Sequence, residues 1–180
     1  MMYPMSGIPG LQGTDHIGIT VPDLDEAQRW FVDVIGAVAV YTLGAKRDDE
    51  GDWMTRQLGV SARTVIREIR FLRLGNGTNL ELFDYDAAEG QNPPPRNSDI
   101  GGYHLALYVD DMDAAVAHLR AHDVEIMGDP VVSAGASAGQ TWLYFRSPWG
   151  LQLELVSYPR GKAYEADAAV KLWHPGNPAE

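Results

Sequence analysis

Two stretches of the chain, residues 15–21 and 103–109, alternate between apolar residues and polar or small ones. Alternation with a period of two is typical of a strand that buries one face. After each stretch an Asp precedes apolar residues at helical spacing, which predicts a turn and then a helix, over 24–35 in the first case and 112–122 in the second. Gly36 follows the first helix directly, where a C-terminal cap is expected.

The two strand–helix stretches are copies of one another. Without gaps, His104 aligns with His16 at an offset of 104 − 16 = 88 residues, and further along Glu154 aligns with Glu81 at an offset of 154 − 81 = 73. The first copy is therefore longer by 88 − 73 = 15 residues. We place the insertion within 43–62, which has no counterpart in the second copy. An internal repeat of this length indicates two modules of the same fold.

The remaining apolar runs predict three further strands in each copy. These strands are 37–43, 64–74 and 79–85 in the first copy and 124–132, 140–146 and 151–158 in the second. Two short helices are also predicted, one over 52–58 with Asp52 as its cap and one over 164–173. The predicted fold class is α+β, with two tandem βαβββ modules.

The segments that follow from this pattern cover the whole chain. They are an N-terminal tail at 1–12, a first module at 13–88 with its insertion at 43–62, a linker at 89–100, a second module at 101–159, and a C-terminal tail at 160–180.

The alternation also predicts which way the side chains point. The apolar face of each first strand must be buried under the helix of its own module, so His16 and His104 face the opposite side. On the last strands, leucines flank Glu81 and Glu154 on both sides, which places the two carboxylates on the same face as the histidines.

A carboxylate between buried leucines is costly unless a partner pairs with it. Two His and two Glu directed into one concavity supply four nitrogen and oxygen ligands. Such a set suits one divalent ion of the Ni, Zn, Co, Mn or Fe type, with positions left for water or substrate. We therefore expect a metal site built from His16, Glu81, His104 and Glu154.

Charge and composition exclude several classes of function. The net charge is −11, and no basic run exceeds Lys46-Arg47, so neither nucleic acid nor an anionic membrane is an expected partner. The chain has no cysteine, which excludes disulfides and a cysteine nucleophile and fits a cytoplasmic location. A small-molecule substrate is the expected partner.

At this point the sequence resembles the vicinal oxygen chelate superfamily, which includes glyoxalase I, methylmalonyl-CoA epimerase, fosfomycin-resistance proteins, extradiol dioxygenases and bleomycin-resistance proteins. The resemblance covers 14–158 and is carried by Asp-His-Ile-Gly-Ile at 15–19, Leu-Glu-Leu at 80–82, Tyr-His-Leu-Ala at 103–106 and the run Ser-Pro-Trp-Gly-Leu-Gln-Leu-Glu-Leu at 147–155. It implies that each module is a cupped mixed sheet with a helix on its convex face. It also implies metal ligands on the first and last strands of each module.

The resemblance implies a metal-dependent lyase or isomerase, like glyoxalase I or the epimerase, acting on a small oxygenated metabolite. A Lewis-acidic metal polarises a carbonyl, and the carboxylates of Glu81 and Glu154 are the candidate catalytic bases. Extradiol dioxygenases have no metal ligand on the last strand of the first module, where this chain has Glu81. A ring-cleaving dioxygenase and a metal-free drug-binding protein remain the alternatives.

Candidate substrate-binding residues lie on the penultimate strands, where alternation predicts that one set of side chains lines the cup. These residues are Arg67, Ile69, Phe71, Trp142 and Tyr144. In the insertion, Trp53 and Met54 either form a lid over the cup or pack on their own module.

The resemblance also implies a homodimer with twofold symmetry. The modules can pair within one chain, or His16 and Glu81 of one subunit can meet His104 and Glu154 of the other. The linker at 89–100 is long enough for either arrangement.

Overall fold

The computed structural model describes residues 8–87 and 89–178. The predicted N-terminal tail before Ile8 and the last two residues of the predicted C-terminal tail lie outside this range. Within the described residues, no helix is long and apolar enough to cross a membrane.

The first module is a four-stranded mixed sheet with a helix against one face. Its elements are β1 (His16–Thr20), α1 (Leu24–Trp30) continued by one π-helical turn (Phe31–Ile35), β2 (Val38–Leu43), α2 (Trp53–Leu58), β3 (Val65–Arg73) and β4 (Asn79–Asp86). The strand order is β1-β4-β3-β2. Only the β1–β4 pair is parallel.

The second module repeats this plan with the order β5-β8-β7-β6. Its elements are β5 (Leu105–Tyr108), α3 (Met112–Ala121), β6 (Glu125–Val132), β7 (Thr141–Arg146) and β8 (Gln152–Ser157). One 3₁₀ turn lies between β6 and β7 at Gly135–Ser137, and another comes after β8 at Ala163–Ala166. The predicted α+β class with two βαβββ modules is confirmed.

Matching residues begin the two main helices. The Asp23 carboxylate accepts a hydrogen bond from the backbone N–H of Glu26 at 2.8 Å, and Asp111 accepts one from Ala114 at 3.0 Å. An Asp at this position satisfies a backbone donor that the first helical turn leaves without a partner. Gly36 ends the first helix with φ of 83°, as predicted.

One apolar core joins the two modules. It contains the helix-side residues of both sheets together with residues of α1 and α3, among them Leu82, Phe31, Leu155 and Leu119. Because strand side chains alternate, the opposite face of each sheet points away from this shared core. The Glu81 and Glu154 faces therefore do not face each other across the chain's own core.

Three predicted elements differ from the structure. The helix over 24–35 changes to a π-helical turn at Phe31. Asp52 makes no side-chain cap; instead the Asp48 carboxylate accepts from the backbone N–H of Gly51 at 2.8 Å and of Trp53 at 3.0 Å. The predicted helix over 164–173 is wrong beyond its first turn, because Leu172 donates its N–H to the Tyr164 hydroxyl at 2.9 Å and this contact closes a loop.

Candidate active site

The first candidate pair joins neighbouring strands β1 and β4. Glu81 lies opposite Gly18 in the ladder, where a side chain would crowd the neighbouring Phe83 ring. The His16 Nε2 lies 3.0 Å from Glu81 Oε2, while its Nδ1 lies 2.7 Å from the Asp15 carboxylate. The hydrogen bond with Asp15 raises the pKa of His16, and the charges of Glu81 and Asp15 act in the same direction.

The second pair has the same geometry in the second module. Glu154 lies opposite small Ala106, and the His104 Nε2 lies 2.9 Å from Glu154 Oε2. Burial raises the pKa of Glu154, although the neighbouring His104 opposes the shift. Tyr103 stands where the first module has Asp15, so His104 has no carboxylate beside it in the chain.

The structure brings the predicted ligands together as two pairs. Within 8–87 and 89–178, no group of three or more His, Asp or Glu side chains is placed to hold a metal ion. The shared core explains this, because each pair lies on the sheet face that points away from it. A four-ligand site needs two such faces to meet.

Aromatic side chains stand beside both pairs. Phe71 is paired with Glu81 in the ladder and its ring meets His16 edge-on at 6.0 Å. Tyr144 is paired with Glu154 and meets His104 edge-on at 5.1 Å. Trp142 adjoins Tyr144 at 5.2 Å between ring centroids, so these three predicted substrate residues share the carboxylate faces.

Two predicted substrate residues are placed differently. Ile69 is on the Glu81 face, but α2 covers it, since Met54 packs against Ile69 and Ile66 and is fully buried. The sequence predicts Arg67 on the same face of β3 as Ile69, and this prediction is wrong. A β-bulge between Ile66 and Glu68 shifts the register.

Arg67 instead forms ion pairs with two carboxylates on the helix-side face of β4. Its guanidinium lies 3.2 Å from Asp84 and 2.9 Å from Asp86. Asp84 and Asp86 lie on the opposite face of β4 from Glu81, so Arg67 is directed away from the candidate site.

Sequence reasoning missed an aromatic side chain on β2. Tyr41 stacks on Phe71 at 4.4 Å with an interplanar angle of 15°, which extends the wall beside His16. The burial pattern of β2 shows no alternation, because every residue of that strand is exposed. Its sequence therefore carries no signal for the face on which Tyr41 lies.

The C-terminal tail contributes further residues beside Glu154. Tyr108 and Tyr158 share its sheet face, and the His174 ring packs edge-on against them at 4.4 Å and 4.9 Å. The Lys162 Nζ lies 4.1 Å from the centre of the Tyr158 ring, and its charge opposes the raised pKa of Glu154. The tail therefore packs on the second module and brings a cation to the candidate site.

The sequence was compared with known proteins. The profile of the glyoxalase/bleomycin resistance protein/dioxygenase superfamily matches residues 15–145. The chain belongs to this superfamily. A curated relative, 2-epi-5-epi-valiolone epimerase from Actinomyces sp., is 50% identical over 171 residues, which cover 94% of this chain and 92% of that protein.

Solved structures show the same fold. A glyoxalase family protein from Bacillus cereus superposes with a TM-score of 0.63 at 22% identity, covering 84% of this chain and 98% of the other. The fosfomycin resistance protein FosX from Listeria monocytogenes gives 0.56 at 16% identity, covering 86% and 98%. The family match and the epimerase relative support an isomerase-type enzyme of a superfamily whose members generally use a divalent metal ion.

Proposed function

We propose that the protein is a metal-dependent epimerase that acts on 2-epi-5-epi-valiolone or a close stereoisomer. The observation that carries the proposal is the pair of matched His–Glu contacts, at 3.0 Å and 2.9 Å, on equivalent strands of the two modules. The substrate is taken from the epimerase that shares half of its residues with this chain.

The residues present fit a divalent metal ion. In each pair an imidazole nitrogen and a carboxylate oxygen, two ligand types that divalent ions accept, lie within 3.0 Å of each other, opposite small Gly18 or beside Ala106 in the ladder. Asp15 accepts the Nδ1 proton of His16, which leaves Nε2 as the ligand atom. Two such pairs supply four ligands to one ion, which when bound would polarise the substrate carbonyl and acidify the neighbouring C–H.

The two carboxylates account for inversion at carbon. One Glu removes the proton next to the carbonyl, and the other returns a proton to the opposite face. Phe71 and Tyr144 flank the pairs and would shield the reacting carbon from water once a second face closes over the site.

We further propose that the complete site forms between two subunits. Each His–Glu pair lies on a sheet face that points away from the shared intrachain core. A twofold dimer can bring the His16–Glu81 face of one subunit against the His104–Glu154 face of the other, and it would form two such sites. The same contact would cover the aromatic side chains that now stand exposed beside His16, including Tyr41.

The proposal is tested with Glu81→Gln and Glu154→Gln, with Glu50→Gln as the matched control at an exposed position. We expect wild type and the control to bind one metal ion per chain and to epimerise 2-epi-5-epi-valiolone. Each active-site variant should lose about 10²–10⁴-fold in kcat, the usual contribution of a positioned base. Metal content is measured by elemental analysis and inversion by NMR in D₂O. Wild-type metal content and turnover in the Glu154→Gln protein would refute the site.

If the wild-type protein binds metal but neither inverts this ketone nor exchanges its C–H for deuterium, the proposed substrate is wrong and the metal site still stands.

A further inference from the structure

A cavity of about 460 Å³ lies between the two modules, and neither the His nor the Glu of either His–Glu pair is among its lining residues. Its walls come from the end of α1, the β3–β4 turn, β5 and α3. Most of the wall is aliphatic, with Leu107, Leu119 and Val34 as examples, and its volume falls in the range of small-molecule sites.

The internal repeat explains why this space exists. The two modules pack about a pseudo-twofold axis, so the cavity has a counterpart on the other side of the interface. At the offset of 73, Asn76 aligns with Trp149; at the offset of 88, His118 aligns with Trp30 and Leu119 with Phe31. Asn76, His118 and Leu119 all line the cavity.

The counterpart cleft is filled by an indole ring. Trp149 packs edge-on against Trp30 at 5.5 Å and at a tilt against Phe31 at 5.8 Å between ring centroids. The space left beside Trp149 is only about 60 Å³. On the cavity side Asn76, His118 and Leu119 stand at the positions of Trp149, Trp30 and Phe31, and Asn76 is too small to fill the volume that the Trp149 indole fills.

Segments outside the repeat cross both clefts. Pro94 and Pro95 of the linker lie beside Trp149. On the cavity side the C-terminal tail takes this position, since the Asn76 amide donates to the Pro175 carbonyl at 3.3 Å and the Trp173 ring lies against Gly77. Trp173 is half exposed, so it stands at the mouth of the cavity.

We propose that this cavity is a binding site for an uncharged planar aromatic molecule about the size of an indole ring, enclosed by Trp173. The shape argument comes from the counterpart cleft, which holds an indole against the equivalent residues. The chemical argument comes from the walls, which are mostly aliphatic and, among the described residues, include no Asp, Glu, Lys or Arg. Sites for small molecules are lined in this way, mostly by apolar side chains with a few polar groups.

The wall is also preformed. His118 Nε2 lies 2.8 Å from the backbone carbonyl of Val34 and donates to it, which ties α3 to the end of α1 across the interface. A ligand would therefore enter a rigid space. It would add contacts between the two modules.

The probe is indole itself, titrated into the full-length protein and followed by calorimetry. We expect saturable binding of one indole per chain. Asn76→Trp should fill the cavity as Trp149 fills its counterpart and weaken indole binding at least about tenfold, which is 1.4 kcal/mol. Asn97→Trp, at an exposed position in the linker, is the control and should bind as wild type does.

Ala115→Leu gives a second, more conservative way to fill the same cavity, since Ala115 lines it. It should also weaken indole binding and keeps the proposal testable if Asn76→Trp does not fold. A crystal soaked with 5-bromoindole should show the bromine between Leu107 and Asn76. Absence of saturable binding, equal binding by wild type and both filled variants, or a cavity occupied by Trp173 or by a second copy of the chain would overturn the proposal. None of these outcomes bears on the proposed epimerase.

Discussion

Asp15 decides which nitrogen of His16 faces Glu81. Its carboxylate lies 2.7 Å from Nδ1, so the Nδ1 proton points to Asp15 and the Nε2 lone pair is left for a metal ion. Replacing Asp15 by Asn keeps the shape and removes the charge. We expect metal affinity to fall by about 10–100-fold, the usual cost of losing such a partner. The measurement is a metal titration of the apoprotein.

Asp33→Asn is the matched control, because Asp33 is exposed and lies on the far side of α1 from the pair. It should leave affinity unchanged. Equal metal affinity in the Asp15→Asn and wild-type proteins would show that the Asp15 carboxylate is not needed to prepare His16 for metal binding.

For single residues, the sequence predicted on which sheet face His16, Glu81, His104 and Glu154 lie, because side chains along a regular strand alternate between the two faces. It failed for Arg67, since a bulge adds one residue to the strand and reverses the phase, and alternation alone does not reveal a bulge. The role of Asp15 was missed, although an Asp directly before a strand His is a signal that could have been read.

The short helix α2 is attached to its module mainly through one side chain. Met54 is fully buried against Ile66 and Ile69, whereas its neighbour Trp53 is 41% exposed. We expect Met54→Ala to lower the free energy of unfolding by about 2–5 kcal/mol, as for other large-to-small core substitutions. Trp53→Ala should cost clearly less. Urea denaturation of both variants measures the difference, and equal losses would contradict the packing described here.

The Asp48 carboxylate stabilises the loop before α2, so the stability of this loop should depend on pH. Backbone N–H groups of Gly51 and Trp53 donate to its carboxylate and lower the pKa of Asp48 below its ordinary value. A lowered pKa means that the contribution to stability is present above the unfolded-state pKa, about 4, and is lost as the pH falls through the lower folded-state value. We expect the amide hydrogens of 48–58 to be less protected in acid than at neutral pH, once exchange is corrected for the intrinsic pH dependence of an unstructured amide.

In the Asp48→Asn variant this acid-dependent difference should vanish, because the titrating group is gone. Hydrogen exchange read by mass spectrometry on peptides from this segment provides the test. A pH response that persists in the variant would assign the effect to another group.

Among the elements, the sequence located the insertion because the two repeat offsets differ, yet it left open whether the insertion packs or forms a lid. The reason is that 43–62 has no counterpart in the second module, so the repeat constrains nothing there. The structure packs Met54 on the Glu81 face of its own module. The C-terminal tail is a similar case, since its contacts with Tyr108 and Tyr158 follow no repeat.

At the scale of the whole molecule, the arrangement of the modules is what the sequence left undetermined. Both modules bury their helix-side faces, and periodicity does not say whether they bury them together. The structure shows one shared core, which separates the two His–Glu pairs within a chain. This arrangement favours a site completed by a second subunit over one formed inside a single chain.

The exchanged site predicts a specific complementation between two inactive chains. A His16→Ala chain carries its lesion in the first module and a Glu154→Ala chain carries it in the second, so either homodimer has two damaged sites. In the heterodimer, one site receives both lesions and the other receives none. Heterodimers make up half of a random mixture and each has one intact site of two, so activity should recover to about a quarter of wild type.

The two chains are mixed after partial unfolding and refolding so that subunits exchange, and turnover is measured before and after. His16→Ala mixed with Glu81→Ala is the control, since both lesions lie in the first module and every site of every dimer keeps one of them. Sites formed within single chains would leave both mixtures inactive. A monomeric mass by light scattering at micromolar concentration would contradict the dimer itself, and with it the site between subunits.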